Sequence, residues 1–144
     1  MPGPITNYHT DQVVVTWNGI NITGYAADTF VEVERDEEGF TSYVGSLGDV
    51  CRTKNMNRMG KITVTLMASA SVNDLLAAAA QDDEESGLDY GPIQVKDLNG
   101  TMRADGAEAW IEKRPKIERA KEAGTIQWVF VVAKLNMFEG GNVL

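Results

Sequence analysis

Short runs of alternating β-branched and aromatic residues, separated by tight-turn dipeptides, constrain the fold of this chain most. The first run extends from Gln12 to Trp17, is followed by Asn18-Gly19, and resumes from Ile20 to Gly24. Such side chains favour the pleated strand, and Asn-Gly supplies the two positive-φ positions of a type I′ turn. The pattern therefore predicts a tight hairpin near the start of the chain.

Two further runs, Phe30 to Arg35 and Lys61 to Leu66, alternate strictly between apolar and polar residues. Successive side chains of a strand point to opposite faces, so each run predicts a strand with one buried and one wet face. The polar positions include Glu32, Glu34, Thr63 and Thr65.

The segment between these two strands, residues 36–60, is long for a simple hairpin loop. It contains two β-prone runs, Phe40 to Val44 and Val50 to Asn55, joined by the turn-like stretch Gly45 to Asp49. We expect an extended β-arm, or a loop that becomes ordered on a partner.

One stretch, Ser71 to Gln81, has helical character. Ser71 is the predicted N-cap, and Asp74 completes an approximate capping box. The acidic run Asp82 to Glu85 would oppose the helix dipole at a C-terminus, so it is predicted to be a solvated loop. The predicted apolar stripe consists of Val72, Leu75, Leu76 and Ala79.

The second half of the chain returns to the β pattern. Pro92 to Leu98 alternates, and Asn99-Gly100 predicts another type I′ turn into Thr101 to Arg103. Ala107 to Arg114 also alternates. The longest apolar run, Thr125 to Leu135, predicts a central strand that is covered on both sides.

The bulk composition indicates one compact domain over residues 1–144, with residues 1–10 as an N-terminal extension. The start resembles neither a signal peptide nor a membrane span, and no run reaches about 18 apolar residues. The net charge of −8 disfavours binding to a phosphate backbone, since an acidic protein would recruit counterions and not release them.

Candidate chemistry is sparse. The chain has a single histidine, His9, and a single cysteine, Cys51, which give neither a catalytic pair nor a zinc site without several carboxylates. The run Asp82 to Asp89 lacks the spacing of a calcium loop, and no phosphate-binding glycine motif is present. We predict no enzyme activity and no cofactor.

The segment Lys113 to Glu122 is the main concentration of positive charge. It fits a solvated loop, a contact with an acidic neighbour such as Asp82 to Glu85 of an adjacent copy, or a nucleic-acid patch. The net acidity of the chain favours the first two interpretations.

Several of these stretches together resemble a family of phage structural proteins, the tail tube subunits of contractile-tailed bacteriophages. The resemblance covers nearly the whole chain and is carried by packing and turn motifs. These motifs are Val13 to Tyr25, Phe30 to Asp36, Gly91 to Gly100, Ala107 to Lys113 and Asn136 to Gly141.

The resemblance implies a mainly β fold, an antiparallel β-sandwich or barrel with one flanking α-helix and an extended arm. It further implies hexameric rings of identical subunits, stacked into a tube whose lumen passes genomic DNA without specific binding. A sheath, a baseplate and a terminator would be partners, no membrane would be involved, and the protein would reside in the virion tail after assembly in the host cytoplasm.

On this model Glu32, Glu34, Thr63 and Thr65 are candidates for the lumen wall, where glutamates would repel DNA phosphates. The two glutamates fit a plain exposed face equally well. The helix would brace the outside or a subunit boundary. Candidates for contacts between subunits or rings are Phe40, Tyr43, Val44, Val50, Arg52 and Lys54.

Two alternatives stay open at this stage. One is the tube of a contractile bacteriocin or secretion-like injection machine, which would share the fold and carry other cargo. The other is a monomeric carbohydrate- or ligand-binding β-sandwich with an aromatic patch formed by Trp17, Trp110 and Trp128.

Overall fold

The structure is a computed structural model that describes residues 12–27, 29–121 and 124–141. The predicted N-terminal extension, residues 1–10, and His9 within it lie outside the described residues. The elements are β1 (Val13–Trp17), β2 (Ile20–Ile22), β3 (Val31–Arg35), β4 (Phe40–Val44), β5 (Val50–Lys54), β6 (Gly60–Met67), α1 (Val72–Ser86), β7 (Gly91–Asp97), β8 (Arg103–Lys113), β9 (Thr125–Val132) and β10 (Asn136–Phe138).

Eight strands form one antiparallel sheet in the order β2-β1-β7-β8-β9-β6-β3, with β10 paired to β8. β4 and β5 form a separate two-stranded sheet, which is the arm expected between β3 and β6. The mainly antiparallel β architecture with one helix is therefore confirmed. Apart from the arm, its strands belong to one continuous sheet.

Contacts between residues of distant strands show that this sheet is strongly curled. Trp17 of β1 and Phe130 of β9 have ring centroids 5.1 Å apart. Neighbouring strands lie about 4.8 Å apart, so a flat sheet would separate these two strands by roughly three such spacings. The indole N–H of Trp17 donates to the Ala109 carbonyl at 3.0 Å, and a bridge from Tyr25 to Leu66 ties the chain after β2 to β6.

The two Asn-Gly turns have different geometries. Asn18 and Gly19 have φ values of 48° and 82°, the left-handed pair of a type I′ turn, which confirms the first hairpin. Neither Asn99 nor Gly100 has a positive φ, so the prediction of a second type I′ turn is wrong. There the Asp97 carboxylate accepts hydrogen bonds from the Asn99 backbone and side chain, at 2.9 and 2.7 Å, and shapes the turn instead.

The helix is longer than the sequence predicts. It ends at Ser86 and not at Gln81, so the acidic run Asp82–Glu85 is helical and the prediction of a solvated loop is wrong. Gly87 ends the helix with φ of 68°, and its N–H donates to the Asp83 carbonyl at 2.8 Å. The left-handed glycine cap thus decides the end of the helix despite the unfavourable charge–dipole interaction.

One buried polar residue ties this helix to the sheet. The Asn73 amide donates to the Met67 carbonyl at 3.1 Å and accepts from the indole N–H of Trp128 at 3.0 Å. Ser71 occupies the N-cap without a side-chain capping bond, so the predicted capping box does not form. Leu75, placed on the predicted stripe, is 56% exposed. The buried apolar residues of the helix are Val72, Leu76, Ala79 and Ala80.

β9 lies between β8 and β6, as expected of a central strand. Its cover is two-sided only near its end, where Val131 and Val132 are both buried. Gln127, nearer the start of the strand, is exposed, so coverage on both sides along the whole strand is not found.

Replacing Phe130 with Ala should lower the free energy of unfolding by about 3–5 kcal/mol, since the side chain is fully buried against Trp17. Urea denaturation of the unassembled protein measures this change. The matched control is Phe40→Ala, at an exposed position of the arm, which should cost about 0.5 kcal/mol or less. Equal losses in the two variants would contradict this description of the core.

Replacing Asp89 with Asn should stabilise the protein at neutral pH. Partial burial and the nearby carboxylates of Asp82 and Asp83 raise the pKa of Asp89. A raised pKa in the folded state means that stability falls as pH rises from the ordinary value of 3.8 through the raised one, and stays lower at neutral pH. The amide oxygen of the variant can still accept the hydrogen bond from Asn18.

Thermal unfolding as a function of pH tests this expectation. The gain should be present at pH 7 and should vanish at pH values below the ordinary pKa, where Asp89 is protonated in both states. The matched control is Asp36→Asn, at an exposed position outside this acidic cluster. A stability at neutral pH that is unchanged or lower in Asp89→Asn would refute the argument.

Candidate functional site

β3 and β6 place the four candidate lumen residues on one outward face. The two strands pair directly, with Glu32 opposite Thr63 and Glu34 opposite Lys61. Directly opposed residues share a face of the sheet, and Thr65 lies on it two residues beyond Thr63. Both glutamates are exposed, whereas the alternate residues Ile62, Val64 and Leu66 are fully buried.

The same face continues across β9 and the end of β8. On β9, Val131, Val129 and Gln127 lie opposite Lys61, Thr63 and Thr65 of β6. On β8, Trp110 lies opposite Val131, and Lys113 lies opposite Val129. We call the whole set the polar face. Its members are Glu32, Glu34, Lys61, Thr63, Thr65, Trp110, Glu112, Lys113, Gln127, Val129 and Val131.

An ion pair crosses this polar face. Lys61 Nζ lies 3.2 Å from a Glu112 carboxylate oxygen, with both side chains about two-fifths exposed. Glu112 is the extra residue of a bulge in β8, which occurs between Ile111 and Lys113 and turns the Glu112 side chain toward β6. Sequence reasoning placed Lys61 on this face but missed Glu112 and Lys113, because a bulge breaks the alternation that assigns faces.

The four strands beneath the polar face have an open edge at each side. β3 pairs only with β6 among the described residues. At the other side, β7 pairs with β8 up to Ala109, so the stretch Trp110–Lys113 pairs with β9 alone in the described part of the chain. Unpaired backbone groups at such edges are templates for another strand.

The arm formed by β4 and β5 carries the six candidate contact residues. Pairing of Val44 with Val50, Ser42 with Arg52 and Phe40 with Lys54 puts these residues on one face, and Tyr43 lies with Cys51 on the other. All are exposed, with Tyr43 at 71%. The Arg52 guanidinium lies 4.0 Å from the Phe40 ring centroid, which is a cation–π contact.

The base of the arm is fixed by hydrogen bonds from Asn55. Its side-chain amide donates to a Glu37 carboxylate oxygen at 2.8 Å and to the Glu38 carbonyl at 3.0 Å, and its backbone N–H donates to the Gly39 carbonyl at 2.8 Å. The first of these bonds holds the pKa of Glu37 below its ordinary value. These bonds join the two ends of the arm at its base, while its tip stays exposed.

The residues weighed for other functions are dispersed. Trp17 and Trp128 are buried in the core, which removes the aromatic patch that a ligand-binding sandwich would need. Cys51 is an exposed free thiol on the arm. Within residues 12–27, 29–121 and 124–141 no group of three metal-ligating side chains occurs, and no helix there is long and apolar enough to cross a membrane.

The basic segment after β8 contacts the acidic helix of its own chain. Arg114 Nε lies 3.3 Å from Glu84 Oε1, and Arg114 Nη2 donates to the Ala77 carbonyl at 3.2 Å. The contact with an acidic run was expected between adjacent copies; at Arg114 it forms within one chain. Lys116 pairs with Glu118 inside the segment itself.

Comparison with known proteins matches the sequence of this chain to phage structural proteins. Residues 15–140 match the model of the family described as the bacteriophage PhiTE tail tube protein. The chain is also 30% identical to the structural protein ORF10 of Pseudomonas phage KPP10, over 99% of this chain and 87% of that protein.

Solved structures from contractile injection systems share the fold at low sequence identity. A sheath–tube complex of an extracellular contractile injection system, PVC, matches with a TM-score of 0.60 and 13% identity, covering 92% of this chain and 91% of that one. The tube-terminating cap of the anti-feeding prophage matches with a TM-score of 0.57 and 10% identity, covering 96% and 95%. The family match over most of the chain settles the identity: the chain belongs to the phage tail tube family, whose members are structural proteins and not enzymes.

Proposed function

We propose that this chain, acting as one tail-tube unit, forms hexameric rings that stack into a tube through which phage DNA is ejected. The observation that carries the proposal is the polar face, a four-stranded layer that is open at both edges. The phage tail tube family and the phage relative at 30% identity support DNA as the cargo.

The four-stranded layer suits ring closure because its strand number is even. Neighbours β3, β6, β9 and β8 are all antiparallel, so the two edge strands run in opposite directions. Rotation about a ring axis preserves strand direction, and β3 of one copy would therefore meet β8 of the next in antiparallel orientation. Repetition of this head-to-tail contact gives a closed barrel without free edges.

In this arrangement the polar face lines the lumen and the helix lies outside. α1 packs on the opposite face of the layer, against the buried side chains of β6 and β9. The three glutamates of the polar face outnumber its two lysines by one, giving each subunit one net negative charge toward the lumen. A mildly acidic wall repels DNA phosphates and lets the strand slide without sticking.

The arm would bridge to the next ring. Its face of Phe40, Val44, Val50, Arg52 and Lys54 has no cover within the described residues, and apolar side chains exposed together on a projection are typical of a contact surface. Tyr43, on the reverse face, would extend the contact. Sheath, baseplate and terminator would be the other partners, and the protein would reside in the virion tail after assembly in the host cytoplasm.

A tube of a contractile injection system is the second candidate. The fold shared with the PVC sheath–tube complex and the anti-feeding prophage cap favours it, since these are parts of such systems. The two candidates differ in cargo, and the presence of DNA inside the assembled particle distinguishes them.

The purified protein should form rings or hollow tubes at high concentration, visible by negative-stain microscopy. The double variant Tyr43→Ser, Val50→Ser should fail to stack into tubes, because it removes apolar contact area from both faces of the arm. Its monomer should unfold at the same urea concentration as the wild type, since both side chains are exposed.

The thiol of Cys51 provides a second measurement of the same contact. It is the single cysteine of the chain and lies exposed on the arm, so its reaction with a thiol reagent should slow several-fold on assembly of the wild type. The double variant should show no such protection. Full tube formation by the variant would exclude the arm from ring stacking.

Replacing Thr65 with Lys should leave tubes intact and slow DNA ejection. Thr65 lies on β6, inside the four-stranded layer and away from both edges, and the added positive charges would bind passing phosphates. Time-resolved dye fluorescence of ejected DNA measures the rate, with Thr65→Gln as the neutral control. Equal rates in both variants would contradict a luminal position for this residue.

A further inference from the structure

We infer that Glu32 at one edge of the polar face pairs with Lys113 at the opposite edge of the next copy, and that this charge pattern selects rings over two-fold dimers. The inference rests on the proposed ring and specifies its interface.

The register of the sheet puts these two residues at the ends of one row. Glu32 of β3 lies opposite Thr63 of β6, Thr63 opposite Val129 of β9, and Val129 opposite Lys113 of β8. A second copy that continues the layer brings its β8 edge, with Lys113, against the β3 edge that carries Glu32. Closing the barrel adds a stagger between strands, and the proposed interface is the one whose stagger leaves these two side chains within reach, directly opposed or diagonal. The parallel row ends in Glu34 at one edge and in Trp110 at the other.

The charges at the two edges are those that lack a partner in the isolated chain. Lys61 and Glu112, in the middle of the polar face, already pair with each other. Within the described residues, neither Glu32 nor Lys113 has an ion-pair partner, and both are exposed. Pairing across the boundary would therefore satisfy the remaining opposite charges of this row.

The same pattern opposes the competing assembly. An open edge can also pair with its own copy across a two-fold axis, which gives a dimer and uses that edge without closing a ring. Pairing of β3 with β3 across such an axis would bring Glu32 and Glu34 against a second set of glutamates. Like charges directly opposed across strands are destabilising, so the charge pattern disfavours the β3–β3 dimer relative to the head-to-tail contact.

Charge reversal tests the pair. Glu32→Lys and Lys113→Glu should each raise the protein concentration needed for half-assembly by about tenfold or more, because repulsion recurs at every interface of the ring. The double variant Glu32→Lys, Lys113→Glu should restore assembly to within about threefold of the wild type, since attraction is regained with the signs exchanged. Sedimentation and negative-stain microscopy over a concentration series measure both effects.

The control is Lys96→Glu, which reverses an exposed charge on β7 away from both edges and should assemble as the wild type does. Circular dichroism and urea denaturation check that every variant folds. Failure of the wild type to form rings would refute the proposed function itself. Assembly by both single reversals, or failure of the double variant to recover, would leave the tube proposal standing and overturn the Glu32–Lys113 pair.

Discussion

The contact between Trp17 and Phe130 is the interaction on which the rest of the structure depends. These rings lie on strands that a flat sheet would hold far apart, so their burial against each other requires the sheet to curl. The indole N–H of Trp17 donates to the Ala109 carbonyl. This hydrogen bond fixes the orientation of the indole ring and gives its buried N–H a partner. The curl creates an enclosed apolar core from a single sheet.

Curling also separates two surfaces with different composition. The core side takes the apolar residues of β6 and β9 together with helix α1, and Asn73 holds the helix there through its hydrogen bond from Trp128. The opposite side of the same strands carries the polar face. The result is a four-stranded layer with one covered face and two unpaired edges. These edges must be protected by charge, by a partner strand, or by both.

The sequence predicts the parts of this fold that depend on near neighbours. Alternation alone assigned Glu32, Glu34, Thr63 and Thr65 to polar faces, and Asn18-Gly19 fixed the first hairpin. The helix end was missed because the charges of Asp82–Glu85 were weighed above the glycine at position 87 that stops the helix. The second turn was misassigned because the Asp97 side chain, two residues before Asn99, supplies the hydrogen bonds. Positions of the contact residues on the arm and in the lumen remain predictions.

Lys113 shows why an assembly surface is harder to find in a sequence than a core. In the chain it opens a basic segment and is naturally grouped with Arg114 and Lys116, yet Arg114 turns to the helix and Lys116 to Glu118. Only strand pairing and the bulge at Glu112 place Lys113 in one row with Glu32, three strands away. Because that row ends in opposite charges at two open edges, another copy of the same row is its proposed complement. Opposite charges at two open strand edges can thus encode closure of an assembly.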